Sequence, residues 1–458
     1  MSPPGITVVG VGAEGLVPAG RQALAEAVLV AAGQRHLDAY RDHVPDGAST
    51  VVLGGDLEPA LDAIEAASGP VAVIASGDPG FFGIVRTLTT RVDRRRLRVL
   101  PAVSSVAAAF AAAGVPWDDA IVVSAHGRDP ASAVHACLAH SKVAVLTAPG
   151  FGPVELARAL RRAGCDERTV LVAERLGEPD ARIVEADLEG IATGVFPGPN
   201  VVVVLDERAA PPPRGVCFPR RHVPEHWALD PAAFAHQEGM VSKPEVRALA
   251  LAALGPGVGD LVWDVGAGSG AVAVECARFG AAVVAVERDA DACALVAHNA
   301  AAHDVAIRVI RGTAPAALGG LPDPDATFVG GGGRDLPAIL VEVLARTSRA
   351  VAVALATVER VAPTLAAFKS GGWDPSARML YVADLAPLPG GHRLAARNPV
   401  FLVAGRRLGN GSGLALSGEG PEARRVGRYK TATEAGGTGQ ATGQTERGNL
   451  LEVREGVS

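Results

Sequence analysis

The sequence predicts an α/β protein in which two strand–glycine–helix units each open a domain of their own. Three observations carry that prediction. Short β-branched runs alternate with longer alanine-rich stretches whose apolar residues recur every three or four positions. A hydrophobic run leads through glycines into a helical pattern twice, at Ile6–Leu16 (ITVVGVGAEGL) and at Leu261–Glu275 (LVWDVGAGSGAVAVE). Between the two lies a proline-rich stretch, Asp206–Pro231, with APPPRG inside it, which suits neither a helix nor a central strand.

Taken in order, the first half offers strands at Ile6–Val11, Thr50–Leu53, Val71–Ala75, Leu97–Leu100, Ile121–Ser124, Val143–Thr147, Thr169–Ala173 and Val201–Leu205. Helical stretches such as Val154–Ala163 separate several of them, so largely parallel strands are expected. Residues 209–240 read as a linker. The alternation then resumes with helix Pro244–Leu254, strand Leu261–Val265, helix Ala271–Phe279, strand Ala282–Glu287 and helix Ala290–His303. Further strands are expected at Ala306–Ile310, Ala326–Val329, Ala350–Leu355, Met379–Leu385 and Val400–Ala404. Residues 409–458 are rich in glycine, threonine, serine and charge. They bury too little surface to offset their ordering entropy, and a disordered tail is expected.

Composition narrows the function. A chain of 458 residues is too long for one ordinary core. The formal charge of −6 speaks against a nucleic-acid binder, which needs a basic excess. Five cysteines lie scattered without a C-x-x-C pair, which fits buried thiols and neither a disulfide framework nor a zinc site. His222 and His226 have metal-like spacing but no evident third ligand, so no metal site is expected. The start, MSPPGITVVG, lacks a basic region followed by an apolar core, so no signal peptide is expected. Val99–Trp117 runs 19 residues without a charge, yet its prolines and serines read as strand, turn and helix rather than a membrane span. A soluble, cytoplasmic protein is the expectation.

Asp264-Val-Gly-Ala-Gly-Ser-Gly270 places three glycines where a strand turns into a helix, which lets backbone approach a ligand closely. Glu287 ends the next strand, 21 residues after Gly266, where a carboxylate can accept bonds from ribose hydroxyls. These features alone fit a nicotinamide enzyme as well as an S-adenosylmethionine enzyme. The D-x-G-x-G-x-G pattern, however, resembles motif I of class I methyltransferases. The strand–PLPGGHR–strand ending resembles the antiparallel hairpin that closes that family's seven-stranded sheet. The fourth strand ends in Gly330–Gly333, where amino-group methyltransferases of this fold carry an Asn/Asp-Pro-Pro-Tyr-like clamp. That departure argues against methylation of adenine or amide nitrogen and leaves carbon open.

The first half adds ASGDPGFFG (75–83), PAVSSVAAAFAAAGVPWDDAIVVSAHGR (101–128) and TAPGFGPVELARAL (147–160). In this order and spacing they resemble the tetrapyrrole methylases, whose class III fold has two α/β subdomains, and most closely the CbiE type that methylates carbon 5 of a corrin precursor. The second half resembles the CbiT type through GMVSKPEVRALALAALGPGVGDLVWDVGAGSGAVAVE (239–275), GTAPAAL (312–318), FVGGGG (328–333) and NPVFLV (398–403). Together the halves resemble the fused precorrin-6Y C5,15-methyltransferases (decarboxylating), over about residues 5–405. The resemblance implies a class III domain (1–208) followed by a class I Rossmann-like domain (241–408) with a seven-stranded sheet. Three departures stand out: Ala13-Glu14-Gly15 in place of Pro-Gly-Asp, Thr313 in place of an acid in GDAP, and Ser242 in place of the commoner threonine.

The family implies one S-adenosyl-L-methionine per domain and a tetrapyrrole substrate. It places Gly266, Ala267, Gly268, Ser269 and Gly270 at the methionine portion of the cofactor, Glu287 at its ribose and Ala314 at its adenine. Ser242 is also placed at that cofactor, although Ser242-Lys-Pro-Glu245 reads equally as a helix capping box. In the first half Gly77, Asp78, Ser104 and Ser105 are the cofactor candidates, with Asp78 open to a simple turn-capping role, and Gly10 and Gly12 are expected on the tetrapyrrole side. A substrate rich in carboxylates calls for cations, and Arg128, Lys243, Arg247 and Arg393 are the candidates. Neither a membrane nor a nucleic-acid partner is expected, whereas self-association through the second domain is. Two alternatives stay open: a cobalt-containing substrate, and an RNA or protein substrate for the second half.

Overall fold

The computed structural model describes residues 5–126, 129–178, 180–207, 226–237 and 242–407. The expected tail (409–458) and the candidate residues Arg128 and His222 lie outside the described residues.

The first sheet is built from β1 (Ile6–Val11), β2 (Leu29–Ala32), β3 (Ser49–Val52), β4 (Val71–Ser76) and β5 (Leu97–Leu100), in the order β3-β2-β4-β1-β5 and parallel throughout. Its central strands are apolar on both faces because helices cover both, as parallel sheets require. Past β1 the chain crosses toward β2 and past β4 it crosses the other way toward β5, so a topological switch point opens between them. The uncharged Val99–Trp117 run is the end of β5, a turn and the helix Ser105–Ala113.

The second sheet contains β6 (Ile121–Ser124), β7 (Lys142–Leu146), β8 (Thr169–Glu174), β9 (Arg182–Asp187) and β10 (Asn200–Leu205), in the order β6-β7-β10-β8-β9. Only β6 and β7 pair in parallel. The sequence expectation of largely parallel strands thus fails here, since β8, β9 and β10 form an antiparallel set.

A seven-stranded sheet follows, built from β11 (Leu261–Val265), β12 (Ala282–Glu287), β13 (Arg308–Arg311), β14 (Ala326–Val329), β15 (Ala350–Leu355), β16 (Trp373–Leu380) and β19 (Val400–Arg407). Its order is β13-β12-β11-β14-β15-β19-β16, parallel except for β19, which runs antiparallel to its neighbours β15 and β16. Leu261, Trp263 and Val265 pack into a core on one face of the sheet, and Val262 packs into the other. A separate hairpin, β17 (Ala383–Leu388) and β18 (Gly391–Ala396), interrupts the path from β16 to β19. The expected strand Met379–Leu385 therefore straddles two elements, and PLPGGHR turns this outlying hairpin rather than the sheet's own antiparallel pair.

Residues 226–237, expected to belong to the linker, pack on this second half. Phe234 is buried against Ala271 and Val274, the backbone N–H groups of Ala228 and Leu229 donate to Glu275, and Asn299 bonds Ala235 in both directions. Arg247 completes the tie. Its guanidinium is fully buried, donates to Glu275 at 2.8 Å and to the carbonyls of Ser242 and Leu229, and lies over the Phe234 ring.

Candidate active sites

The C-terminal site forms where β11 and β14 end side by side, again at a switch point of strand order. Gly266, Gly268 and Gly270 all have positive φ, which a side chain would oppose. A Cβ on Gly330 would sit 2.7 Å from the carbonyl oxygen of Gly266, so bare backbone on both loops is what lets them approach. Gly270 starts the helix Ala271–Arg278. Glu287, at the end of β12, accepts from Gly268 N–H at 3.0 Å with one carboxylate oxygen and from Arg288 and Asp289 N–H at 2.8 and 3.0 Å with the other. Its carboxylate is thereby fixed beside the glycine loop. Ala314 precedes a cis proline and lines a groove of about 480 Å³ with Thr313, Pro315 and Asp335.

Beneath the loop lies Asp264, fully buried. One of its oxygens accepts from Ala273 N–H at 2.9 Å and the other has no hydrogen-bond partner. Burial pushes its carboxyl up to about 7, against that backbone bond and helped by the nearby Glu287 charge. A bare-backbone cradle next to a fixed carboxylate fits S-adenosyl-L-methionine, whose methionine part calls for close backbone approach and whose ribose calls for acceptors.

Two expectations need correction here. Ser242 and Glu245 do not form a capping box: the residue flanking the helix Pro244–Leu254 is Lys243, and no side chain caps it. Pro244 at the first helical position has no N–H to satisfy, which weakens the demand for a cap. Arg247 is not at the mouth of the site, because burial and three protein partners occupy its guanidinium. Lys243 is half-buried and donates to the Asn398 carbonyl, while Arg393 is exposed on the β17–β18 hairpin.

The N-terminal site is a cleft of about 1790 Å³ between the two sheets of the first half, larger than the few hundred to about 1000 Å³ usual for small ligands. Gly12, Gly77, Asp78 and Ser105 line it. Gly77 has φ +64°, and a Cβ there would lie 3.4 Å from Ser105 N and from the Val103 carbonyl oxygen. Asp78 accepts from Gly80 N–H at 2.8 Å, the turn-capping role left open above. Ser104 caps the helix Ser105–Ala113 by accepting from Ala107 N–H at 3.1 Å. Gly10 does not line the cleft. It is a packing glycine, since its Cβ would meet the Gly77 carbonyl oxygen at 2.3 Å and Ala102 N at 2.7 Å.

Sequence reasoning missed a polar cluster at this cleft. Arg35 and His36, on the helix Gln34–Ala39 that follows β2, both reach Ser76 Oγ, His36 Nε2 at 2.8 Å and Arg35 Nη2 at 3.3 Å. Arg35 Nη1 also donates to Glu178 Oε1 at 3.0 Å, and Tyr40 stacks on His36. Burial, with Arg35 beside it, holds the His36 imidazole below its usual range.

Residues 5–192 match the family model described as Tetrapyrrole (Corrin/Porphyrin) Methylases, and residues 232–403 match the one described as Precorrin methyltransferase domain. The described chain is thus made of two methyltransferase domains of different fold. A Sinorhizobium precorrin-6Y C(5,15)-methyltransferase [decarboxylating] is 36% identical over 367 residues, covering 77% of this chain and 85% of that protein. The first half alone is 34% identical to a cobalt-precorrin-7 C(5)-methyltransferase of Salmonella typhimurium over 214 residues, which is 44% of this chain and 100% of the relative. The second is 37% identical over 177 residues to a probable cobalt-precorrin-6B C(15)-methyltransferase (decarboxylating) of Pyrobaculum calidifontis, 37% of this chain and 91% of the relative. The chain belongs to the family of precorrin-6Y C(5,15)-methyltransferases (decarboxylating). Methyltransferases of this family generally use S-adenosyl-L-methionine. Among the described residues no helix is long and apolar enough to cross a membrane.

Proposed function

We propose that the chain methylates a corrin precursor at C-5 in the N-terminal cleft, and methylates C-15 and removes the ring C acetate carboxyl at the C-terminal site, with one S-adenosyl-L-methionine bound in each. The product is then precorrin-8X, a step of cobalamin synthesis carried out in the cytoplasm. The observation that carries this reading is the pair of glycine-floored sites, each at a switch point of its own sheet, in halves that separately resemble a C(5)- and a C(15)-methyltransferase.

When bound, S-adenosyl-L-methionine supplies a methyl group on a sulfonium, open to attack by an electron-rich carbon. The reduced tetrapyrrole provides such a carbon through conjugation with its ring nitrogens, so the protein's task is to position, desolvate and balance charge. At the C-terminal site Gly266–Gly270 offer backbone to the methionine part, Glu287 accepts from the ribose and Ala314 flanks the adenine. Ser242 and Lys243 stand at the same end of the domain. In the N-terminal cleft Gly77, Ser104 and Ser105 present backbone to the cofactor, Asp78 braces their turn, and Gly12 faces the tetrapyrrole. Loss of the acetate carboxyl uses the conjugated ring as its electron sink, which fits the lack of a nucleophile–base–acid triad in the motifs.

Self-association through the C-terminal domain belongs to the same reading. Met379, Tyr381, Leu385 and Leu394, on and between β16, β17 and β18, are each more than half exposed. Mass spectrometry of the product made from precorrin-6Y and S-adenosyl-L-methionine tests the central claim. Two added methyls and one lost carboxyl are expected, and a tetrapyrrole returned unchanged sinks it.

A further inference from the structure

A tetrapyrrole with peripheral carboxylates calls for cations where it binds. The described lining of the N-terminal cleft contains four carboxylates, Glu14, Asp78, Glu155 and Glu178, and a single lysine or arginine, Arg35. Among the described lining residues, an anionic ligand meets repulsion from every charged side chain other than Arg35 and the histidines.

Arg35 is also placed for the task. It sits just past the C-terminal end of β2, in the row of strand ends that forms the cleft, and donates through Nη2 to Ser76, the residue before Gly77. Its Nη1 meets Glu178, a carboxylate from the second subdomain, at 3.0 Å. The side chains of the pair are 56% and 37% exposed, and an ion pair in that setting is weak. A carboxylate already rests on this guanidinium, so the geometry for holding one exists, and another can replace it at little cost.

We propose that Arg35 is the substrate-carboxylate anchor of the N-terminal cleft, with Glu178 occupying the anchor in the free enzyme and Ser76 steadying the guanidinium. This rests on the reading of the cleft as the C-5 methylation site. Arg35 touches the substrate's periphery and acts on affinity; the reacting carbon is held elsewhere in the cleft.

The test uses the full chain and a tetrapyrrole lacking only its C-5 methyl. Arg35→Gln is expected to raise KM for C-5 methylation about 10- to 100-fold, the loss of one charge-assisted contact, with kcat changed less than about threefold. Arg35→Lys keeps the charge without the fork and should fall between. Decarboxylation at the C-terminal site, followed separately with precorrin-6Y as substrate, and S-adenosylhomocysteine affinity should stay at wild-type values. Glu178→Gln should lower KM or change it by no more than about fivefold. An unchanged KM in Arg35→Gln overturns the proposal. So does an equal rise in Glu178→Gln, which would mean that the pair only holds the subdomains together. Gly77→Val separates the two levels: if it spares C-5 methylation the cleft reading itself fails, and if it abolishes the reaction while Arg35→Gln does nothing, only the anchor fails.

Discussion

Glu287 offers the sharpest measure of the C-terminal site. A carboxylate has about four acceptor positions. Three are taken here by the N–H groups of Gly268, Arg288 and Asp289, which leaves one, on the oxygen facing the glycine loop. In the proposed binding mode the ribose would gain one full charge-assisted bond there, worth about 1.5–3 kcal/mol. Glu287→Ala removes that bond and also frees Gly268 N–H, loosening the loop by roughly 0.5–1 kcal/mol more. The expected sum is about 2–4 kcal/mol, or on the order of 30- to 800-fold in the dissociation constant. Glu287→Gln is no gentle control. With its amide oxygen turned to Arg288 and Asp289, its NH₂ group faces Gly268 N–H, donor against donor, so a comparable loss is expected. With one cofactor bound per half, as proposed, calorimetric titration of the full chain with S-adenosylhomocysteine would read both sites together, the N-terminal site serving as the internal reference. Wild-type affinity at both sites in a folded Glu287→Ala protein refutes the assignment.

Gly77→Val places a β-branched residue at φ +64° and a side chain in the cleft floor; its product is expected to lack the C-5 methyl yet to be decarboxylated, by mass spectrometry. Arg247→Ala leaves the buried Glu275 without its counter-charge and should cost about 3–5 kcal/mol in denaturant unfolding of the second half, with KM for the tetrapyrrole unmoved in the folded fraction. Asp264 is raised in the folded protein from 3.8 to about 7, so the native state holds its proton more tightly than the unfolded chain. Its contribution is favourable below the unfolded pKa and is lost as pH rises from about 4 through about 7, by roughly 4 kcal/mol. Asp264→Asn should flatten that decline, and thermal midpoints that fall in parallel for both proteins over this range would show the burial argument to be mistaken.

Much of this architecture is legible in the sequence because parallel strands buried on both faces leave continuous apolar runs. LVWDV, AVVAVE and AVAVAL are of that kind and lie where expected. What was hidden has physical reasons. LVAA (β2) is four residues with two alanines, and RIVEAD (β9) is an edge strand carrying three charges, so neither stands out from helix or loop. Missing β2 concealed Arg35, because a strand end is what marks the residues after it as site residues. Its partner Glu178 lies 143 positions away, beyond any local pattern. Arg247 misled for the opposite reason. One helical turn after Pro244 it reads as a solvent-facing cation, and only the return of Phe234 and Leu229 over it makes the site interior. Glycine loops survive translation from sequence to structure better, since positive φ and close approach are demands on the residue itself.

The two halves meet at the N-terminal ends of the second half's parallel strands. His135 Nδ1 donates to the Gly259 carbonyl at 3.0 Å and lies 3.3 Å from Asp325, and Arg308 donates to the Ala163 carbonyl at 2.5 Å. Burial raises the Asp325 carboxyl, but hydrogen bonds from His135 and Leu261 outweigh it and hold the group below its usual range. Gly259 lies two residues before β11, Asp325 immediately precedes β14, and Arg308 opens β13, so all three mark the N-terminal ends of parallel strands. The glycine loops and Glu287 are at the opposite, C-terminal ends. On the other side of the contact, Ala139 and Ala163 close helices that lead back from the cleft toward the starts of β7 and β8. An α/β sheet binds ligands at its strand C-termini, which leaves the other end free for docking. Docking the second sheet by that end leaves its strand C-termini uncovered by the contact, and in the two-site reading proposed above a macrocycle would leave one pocket before entering the other, with the shared chain keeping the second close at hand.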